Sequence, residues 1–304
     1  AVKLRKTYNF LIYSSRENRM DSSKVPLGEP SGPFLNYCDP GEIAAFALAI
    51  NDDNPLYRDG RAVPPTYPVV PVFEAMRSLG QLPPEAMAGG RGGGHGEHDL
   101  YIRRPITPGM ALHTTADRYA VVVSKAGMNV FTRLMSVDDD GQLVIEQYWS
   151  SIMVGEATGG NQGPDMPDHT FLEAARSRKV GTMSLPTTDD QTFRYAGASG
   201  DRSTIHVSDQ AAIQSGRPRK FNQGALSLGI ASRALVALAA GGDPSRITRV
   251  AVRFSRSAYP GDDIDVSVYD AGSTAEGQHA YAFETASLGN TVLKNGWVEV
   301  TPAT

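Results

Sequence analysis

Two blocks of sequence recur, in the same order, in the two halves of this 304-residue chain. An internal repeat constrains the fold more tightly than any composition does, because each half must then build the same unit. The first block, FALAINDDNPLYRD at Phe46–Asp59, lies over YAGASGDRSTIHVS at Tyr195–Ser208. Phe46 then meets Tyr195, Asp52 meets Asp201 and Tyr57 meets His206. The second block, DLYIRRPITPGMAL at Asp99–Leu112, lies over AVRFSRSAYPGDDI at Ala251–Ile264, with Pro108-Gly109 over Pro260-Gly261. The spacing between blocks differs slightly between the halves, as a loop insertion allows. Between them, EATGGNQGPDMPD at Glu156–Asp168 is rich in Gly and Pro and has no apolar period, the mark of a linker. The expected organisation is one repeat over residues 1–155, a linker over 156–170 and a second repeat over 171–304.

Each half carries a helix candidate between its two blocks. VVPVFEAMRSLG at Val69–Gly80 is the weaker. GALSLGIASRALVALAAGG at Gly224–Gly242 is apolar nearly all round, so it reads as a buried helix closed at its C-terminus by Gly241-Gly242. After its second block each half turns to strands. Residues 115–154 read as three strands, with a hairpin at Asp140-Gly141. Asp263–Asp270, Ala280–Gly289 and Asn290–Val300 repeat that pattern. An apolar helix must be covered, and a curved antiparallel sheet wrapped around it does so. The expected fold is α+β: two repeats, each a long central helix wrapped by an antiparallel sheet.

Composition narrows the partners. The net charge is −4 and no Lys/Arg-rich run stands out, which argues against nucleic acid. The single cysteine, Cys38, excludes an internal disulfide framework and a cysteine-rich zinc site, and fits a cytoplasmic location. No stretch approaches the ~18 consecutive apolar residues of a membrane span. Residues 1–20 hold no apolar run of signal-peptide length.

Asp201 and His206 carry the strongest chemical signal. A neutral imidazole is an effective base near neutral pH, and a carboxylate beside it can orient it or share a water. Hydration of a double bond needs one group to activate water and one to deliver a proton, and such a pair does both. The plainer reading is a turn capped by Asp201 with His206 on a strand edge. Gly197, Ala198, Ser199 and Gly200 favour the pocket, since small residues permit a tight loop. Gly224 opens the buried helix, where free N–H groups and the positive dipole end can stabilise an oxyanion.

Other features read more plainly. GGRGGGHGEH at Gly89–His98 lacks the Lys-[Ser/Thr] of a phosphate loop and reads as a flexible loop able to act as a flap. His95 and His98 are spaced like metal ligands but lack acidic or cysteine partners, so they read as loop histidines. Asp138-Asp139-Asp140-Gly141 reads as a hairpin turn. Trp149 and Trp297 fall in matching late strands and read as core or interface residues. RPRK at Arg217–Lys220 is a solvated loop or a contact for phosphates.

These stretches resemble a known family. SGDRSTIHVS, followed by NQGALSLG and RFSRSAYPGD, is similar to the MaoC-like dehydratases, also called hydratase 2 or (R)-specific enoyl-CoA hydratases. INDDNPLYRD, AVPPTYPVV and HDLYIRRPITPG resemble the N-terminal repeat of two-repeat members. The resemblance implies a double hot-dog fold. It implies reversible hydration of a trans-2-enoyl-CoA to the (3R)-3-hydroxyacyl-CoA, with no metal or redox cofactor. Asp201 and His206 would activate the water, and the Gly224 N–H would polarise the thioester carbonyl. Ser203, Asn222 and Gln223 fall on the substrate side, and Arg217, Arg219 and Lys220 at the phosphates of coenzyme A.

Tyr57 stands where the second half has His206. A tyrosine with a pKa of about 10 is a poor base. One active site per chain is therefore expected, with Tyr57 and the first half shaping the acyl and pantetheine tunnel. The thioester carrier is coenzyme A or an acyl carrier protein. Two fused hot dogs already make a pseudo-dimer, so a further homodimer is optional. The chain departs from the family pattern at Ser203-Thr204, which replace Asn-Pro, at Gln223, which replaces His, and at Ser208, which replaces Asp while Asp209 follows. Two other functions fit the same residues: an acyl-CoA thioesterase that uses Asp201 to aim water at the carbonyl, and a non-catalytic acyl-thioester binder.

Overall fold

A computed structural model describes residues 19–302. The reading of residues 1–20 as lacking a leader lies almost wholly outside them.

Alternating apolar residues draw the chain into strands. The first half forms β1 (Met20–Asp21), β2 (Ser31–Tyr37), β3 (Arg91–Ile102), β4 (Ala111–Ser124), β5 (Gly127–Val137) and β6 (Leu143–Val154). After it come β7 (Ala157–Thr158), β8 (Lys179–Leu185), β9 (Ile247–Phe254), β10 (Ile264–Ser273), β11 (His279–Ser287) and β12 (Asn290–Val300). Ten of these join one sheet in the order β2-β4-β5-β6-β3-β9-β12-β11-β10-β8. Read inward from either edge, the succession within each half is the same, so the halves meet about a pseudo-two-fold axis where β3 pairs antiparallel with β9. There Asp99 faces Ala251, its own counterpart in the repeat alignment.

The helices are α1 (Pro40–Ala49), α2 (Pro55–Arg58), α3 (Phe73–Ser78), α4 (Pro84–Met87), α5 (Gln191–Ser199), α6 (Asp209–Gln214) and α7 (Gly224–Leu238). α7 is the buried helix expected. Its Ala225, Leu226, Leu228, Ile230, Ala231, Ala234 and Leu235 join Leu100, Val250, Val252 and Val298 in the main core. Ser232 returns its hydroxyl to the Gly229 carbonyl at 2.7 Å, so a buried polar group is satisfied within the helix. The Gly242 N–H donates to the Val236 carbonyl at 2.8 Å and closes the C-terminus.

The first half departs from its expected long helix. Pro64, Pro65, Pro68 and Pro71 each lack a backbone donor, so helix forms only after them, as the six residues of α3. The glycine run departs too: Arg91–Ile102 is not a flap but β3, the strand that joins the halves. β6 pairs with Gly93, Gly94 and His95, so ladder hydrogen bonds override the entropy glycine loses. Asp138–Gly141 is the expected hairpin turn, its Asp138 carboxylate accepting from the Gln142 N–H at 2.8 Å. The segment expected to link the halves is pinned to the first: β7 pairs with β1, and Gln162 bridges to Val121. No described helix is long and apolar enough to cross a membrane.

Strand alternation puts Asp99 and Arg249 on the sheet face opposite α7. Arg249 binds Asp99 through two hydrogen bonds, at 2.9 and 2.7 Å, and Glu299 through a third at 2.9 Å. It also reaches the Asp168 carbonyl at 3.2 Å and lies over the Tyr101 ring. The Arg249 and Asp99 side chains are 9% and 6% exposed, so neither charge can fall back on water. Replacing Arg249 with Met should therefore lower the unfolding free energy by about 3–5 kcal/mol, because it leaves a buried carboxylate unpaired. Adding Asp99→Leu should recover part of that loss in urea denaturation, since no lone charge then remains.

Candidate active site

α5 delivers the first site residue. It ends on Gly200, whose φ of 82° is left-handed backbone that favours glycine. That reversal turns Asp201 out of the helix. One carboxylate oxygen of Asp201 accepts the Ser203 N–H at 3.2 Å, an Asx turn. The turn-capping reading of Asp201 is thus true as far as it goes. His206 is not on a strand edge: it ends a 3-10 turn over Thr204–His206 and is 8% exposed.

The Phe221 carbonyl accepts from His206 Nδ1 at 2.8 Å, so that nitrogen carries the proton and Nε2 keeps its lone pair. Burial pulls the imidazole below the ordinary histidine value, against the Phe221 carbonyl and the Asp201 charge, which act to raise it. His206 is therefore neutral near pH 7, the state a general base needs.

Asp201, His206 and Gly224 line one cleft of about 650 Å³. Gly224 begins α7 with no side-chain cap on its first N–H groups. A Cβ there would lie 3.2 Å from the Phe254 ring, so glycine is what lets the strand wall approach the helix start. Ser203, Asn222 and Arg217 line the same cleft.

Four other expected substrate contacts lie elsewhere. Gln223 is fully buried behind the cleft, its amide donating to the Thr192 carbonyl at 3.2 Å and the Asp201 carbonyl at 3.4 Å. Arg219 is held by the Pro260 carbonyl at 2.9 Å and by Asp262 at 3.2 Å. Lys220 leans over the Phe193 ring. Tyr57 is 1% exposed and packs among Leu56, Ala47 and Ala62, away from the cleft. Burial shuts Gln223 and Tyr57 away from the cleft, and Arg219 and Lys220 have protein partners close at hand.

The opposite wall comes mostly from the first half. His95 stacks flat on Trp149, centroids 3.8 Å apart at 4°, with Phe254 at 4.1 Å and Phe73 at 5.8 Å from Trp149. All four line the cleft, so His95 is not a loop histidine, and Trp149 is more than a core residue. Trp297, on the outer sheet face, instead donates to Glu299 at 2.9 Å. Burial, then His98, drives the His95 imidazole well below its ordinary value. Among the described residues no cluster of three or more His, Cys, Asp or Glu is placed to hold a metal ion. Arg91 and Arg256 complete the rim. The one hint of this wall was the repeat block that holds Phe254 and Arg256.

Residues 172–288 match the model of the MaoC like domain. The chain is similar to 3-hydroxyacyl-thioester dehydratase Y of Mycobacterium tuberculosis, 28% identical over 251 residues that span 77% of this chain and 80% of that protein. In three dimensions it resembles a MaoC-like dehydratase from Phytophthora capsici, with a TM-score of 0.78 at 22% identity over 92% of this chain and 97% of that one. It also resembles a Mycobacterium tuberculosis protein described as a double hotdog fold, with a TM-score of 0.57 at 14% identity over 91% and 96% of the two chains. The fold is the double hot dog, with the first helix cut short.

Three histidines give stability a pH dependence. His95, His98 and His206 all lie below the ordinary 6.5, His98 pushed down to about 4 by burial. Below pH 6.5 the unfolded chain takes up protons that the folded one refuses, so the unfolding free energy should fall as pH drops from 6.5 towards 4. His98→Gln should flatten that slope in denaturation curves. His169 has the opposite sign. Burial lowers its pKa, but the Glu97 and Asn295 hydrogen bonds with the Asp99 and Glu97 charges hold it above 6.5. Its contribution is full below pH 6.5 and is lost as pH rises through the raised value, so His169→Gln should remove only that upper arm.

Proposed function

We propose, from the match of residues 172–288 to the model of the MaoC like domain, that the protein is a hydro-lyase acting on acyl thioesters. It adds water reversibly across a trans-2-enoyl thioester to give the (3R)-3-hydroxyacyl thioester. The second half, 171–304, carries the chemistry. The first, 1–155, lines the acyl side through Phe73, His95 and Trp149. The name of the relative, a 3-hydroxyacyl-thioester dehydratase, is the same reaction run towards the alkene.

The observation that carries the reading is the His206 tautomer. With Nδ1–H committed to the Phe221 carbonyl, Nε2 is a neutral base in the same cleft as the Asp201 carboxylate. In hydration, Nε2 takes one proton of the water as its oxygen bonds to C3. The π electrons move towards the thioester oxygen, where the Gly224 N–H receives the growing charge. The electrons then return to C2 and bond the proton held by the His206–Asp201 pair. One O–H bond and the C2=C3 π bond are lost, and C3–O and C2–H bonds are gained. Arg91, Arg217 and Arg256 line the cleft with no carboxylate partner among the described residues, and three such cations suit the phosphates of coenzyme A.

Crotonyl-CoA tests the proposal. The purified protein should bleach the ultraviolet band of the conjugated thioester, and Asp201→Asn or His206→Ala should each lower kcat by about 10²–10⁴-fold with folding intact. Undiminished turnover in both variants would refute the roles. Release of free thiol without loss of conjugation would make the protein a thioesterase instead. At Gly224, alanine would press its methyl group on the Phe254 ring and should reduce kcat/KM, measurable in the same assay.

A further inference from the structure

Asn222 is 3% exposed and lines the cleft, yet neither its Oδ1 nor its Nδ2 has a protein hydrogen-bond partner. Its backbone is not loose: the Asn222 N–H donates to the Ala258 carbonyl at 2.9 Å. It follows Phe221, whose carbonyl sets the His206 tautomer, and stands two residues before Gly224. One short segment thus carries the anchor of the base, an unspent amide and the oxyanion donor.

A buried amide without partners is costly, so a ligand or water group must complete it. Its chemistry says which. Oδ1 only accepts and Nδ2 only donates, so one group that satisfies both must itself donate and accept. A thioester carbonyl only accepts, and an acyl chain does neither. A water or a hydroxyl does both.

The reacting oxygen has a matching need. His206 Nε2 takes one proton of the attacking water, and the other O–H can be shared by two acceptors, the Asp201 carboxylate and Asn222 Oδ1. Aiming its lone pair at C3 then needs a donor on its other lone pair. Building on the hydratase reading, we infer that the Asn222 amide is a third polar partner of the reacting oxygen. It holds the water in hydration and the C3 hydroxyl in dehydration.

The test compares (3R)-3-hydroxybutyryl-CoA with butyryl-CoA, which differ by that hydroxyl. Titration calorimetry in a His206→Ala background prevents turnover. The hydroxyl-bearing thioester should bind more tightly than butyryl-CoA. Adding Asn222→Ala should cut that preference about fivefold, the worth of one neutral hydrogen bond, and leave butyryl-CoA affinity unchanged. With His206 intact, Asn222→Ala should lower kcat on crotonyl-CoA more than it raises KM. Asn222→Ser, which keeps a donor and an acceptor, should recover more activity than Asn222→Leu.

A hydroxyl preference that survives Asn222→Ala would overturn the inference. So would an equal loss of affinity for both thioesters, which marks a purely structural role. A wild-type protein that neither binds butyryl-CoA nor hydrates crotonyl-CoA would overturn the hydratase reading as well, and is distinguished by failing before any Asn222 variant is made.

Discussion

Where β3 pairs antiparallel with β9, Glu97 faces Arg253 and Tyr101 faces Arg249, so two five-stranded units become one sheet with no edge between them. Parallel consequences follow on its two faces. On the outer face the juxtaposition buries Asp99 against Arg249 and brings His169, from the connecting segment, to 3.4 Å from Glu97. On the inner face it sets His95 of one half beside Phe254 and Gly224 of the other. The cleft is therefore a product of the seam. Neither half holds both walls.

The remaining geometry is set by two chain reversals that meet at the start of α7. Gly200 turns Asp201 away from α5, and the segment before Gly224 presents the Phe221 carbonyl to His206. Gln223, a departure from the family pattern, lies behind both. Its amide reaches the Thr192 and Asp201 carbonyls and so ties both ends of α5 to the start of α7. That placement explains how a glutamine serves there without touching the cleft.

The repeat was legible because its blocks carry turn chemistry: Gly109 and Gly261 both adopt a φ of 88°, at matching Pro-Gly steps. Asp201, His206 and Gly224 were legible because they lie within a few residues of local structure that must be tight. The wall of His95, Trp149 and Phe73 was not. His95 sits in a glycine run whose partners, Ser151 and Ile152, come from far along the chain, so nothing local marks it as strand. The basic cluster divides for a related reason. Arg217 faces the cleft, but Asp262 and Pro260 claim Arg219.

By itself, the sequence determined the duplication, the buried helix and the loop that carries Asp201 and His206, because turn residues, apolar periodicity and short spacings act through neighbours in the chain. Only the tertiary structure decided which residues face the cleft and that it straddles the two halves. Those choices depend on strand register and on which long-range partner satisfies each buried polar group, and neither is written in local propensity.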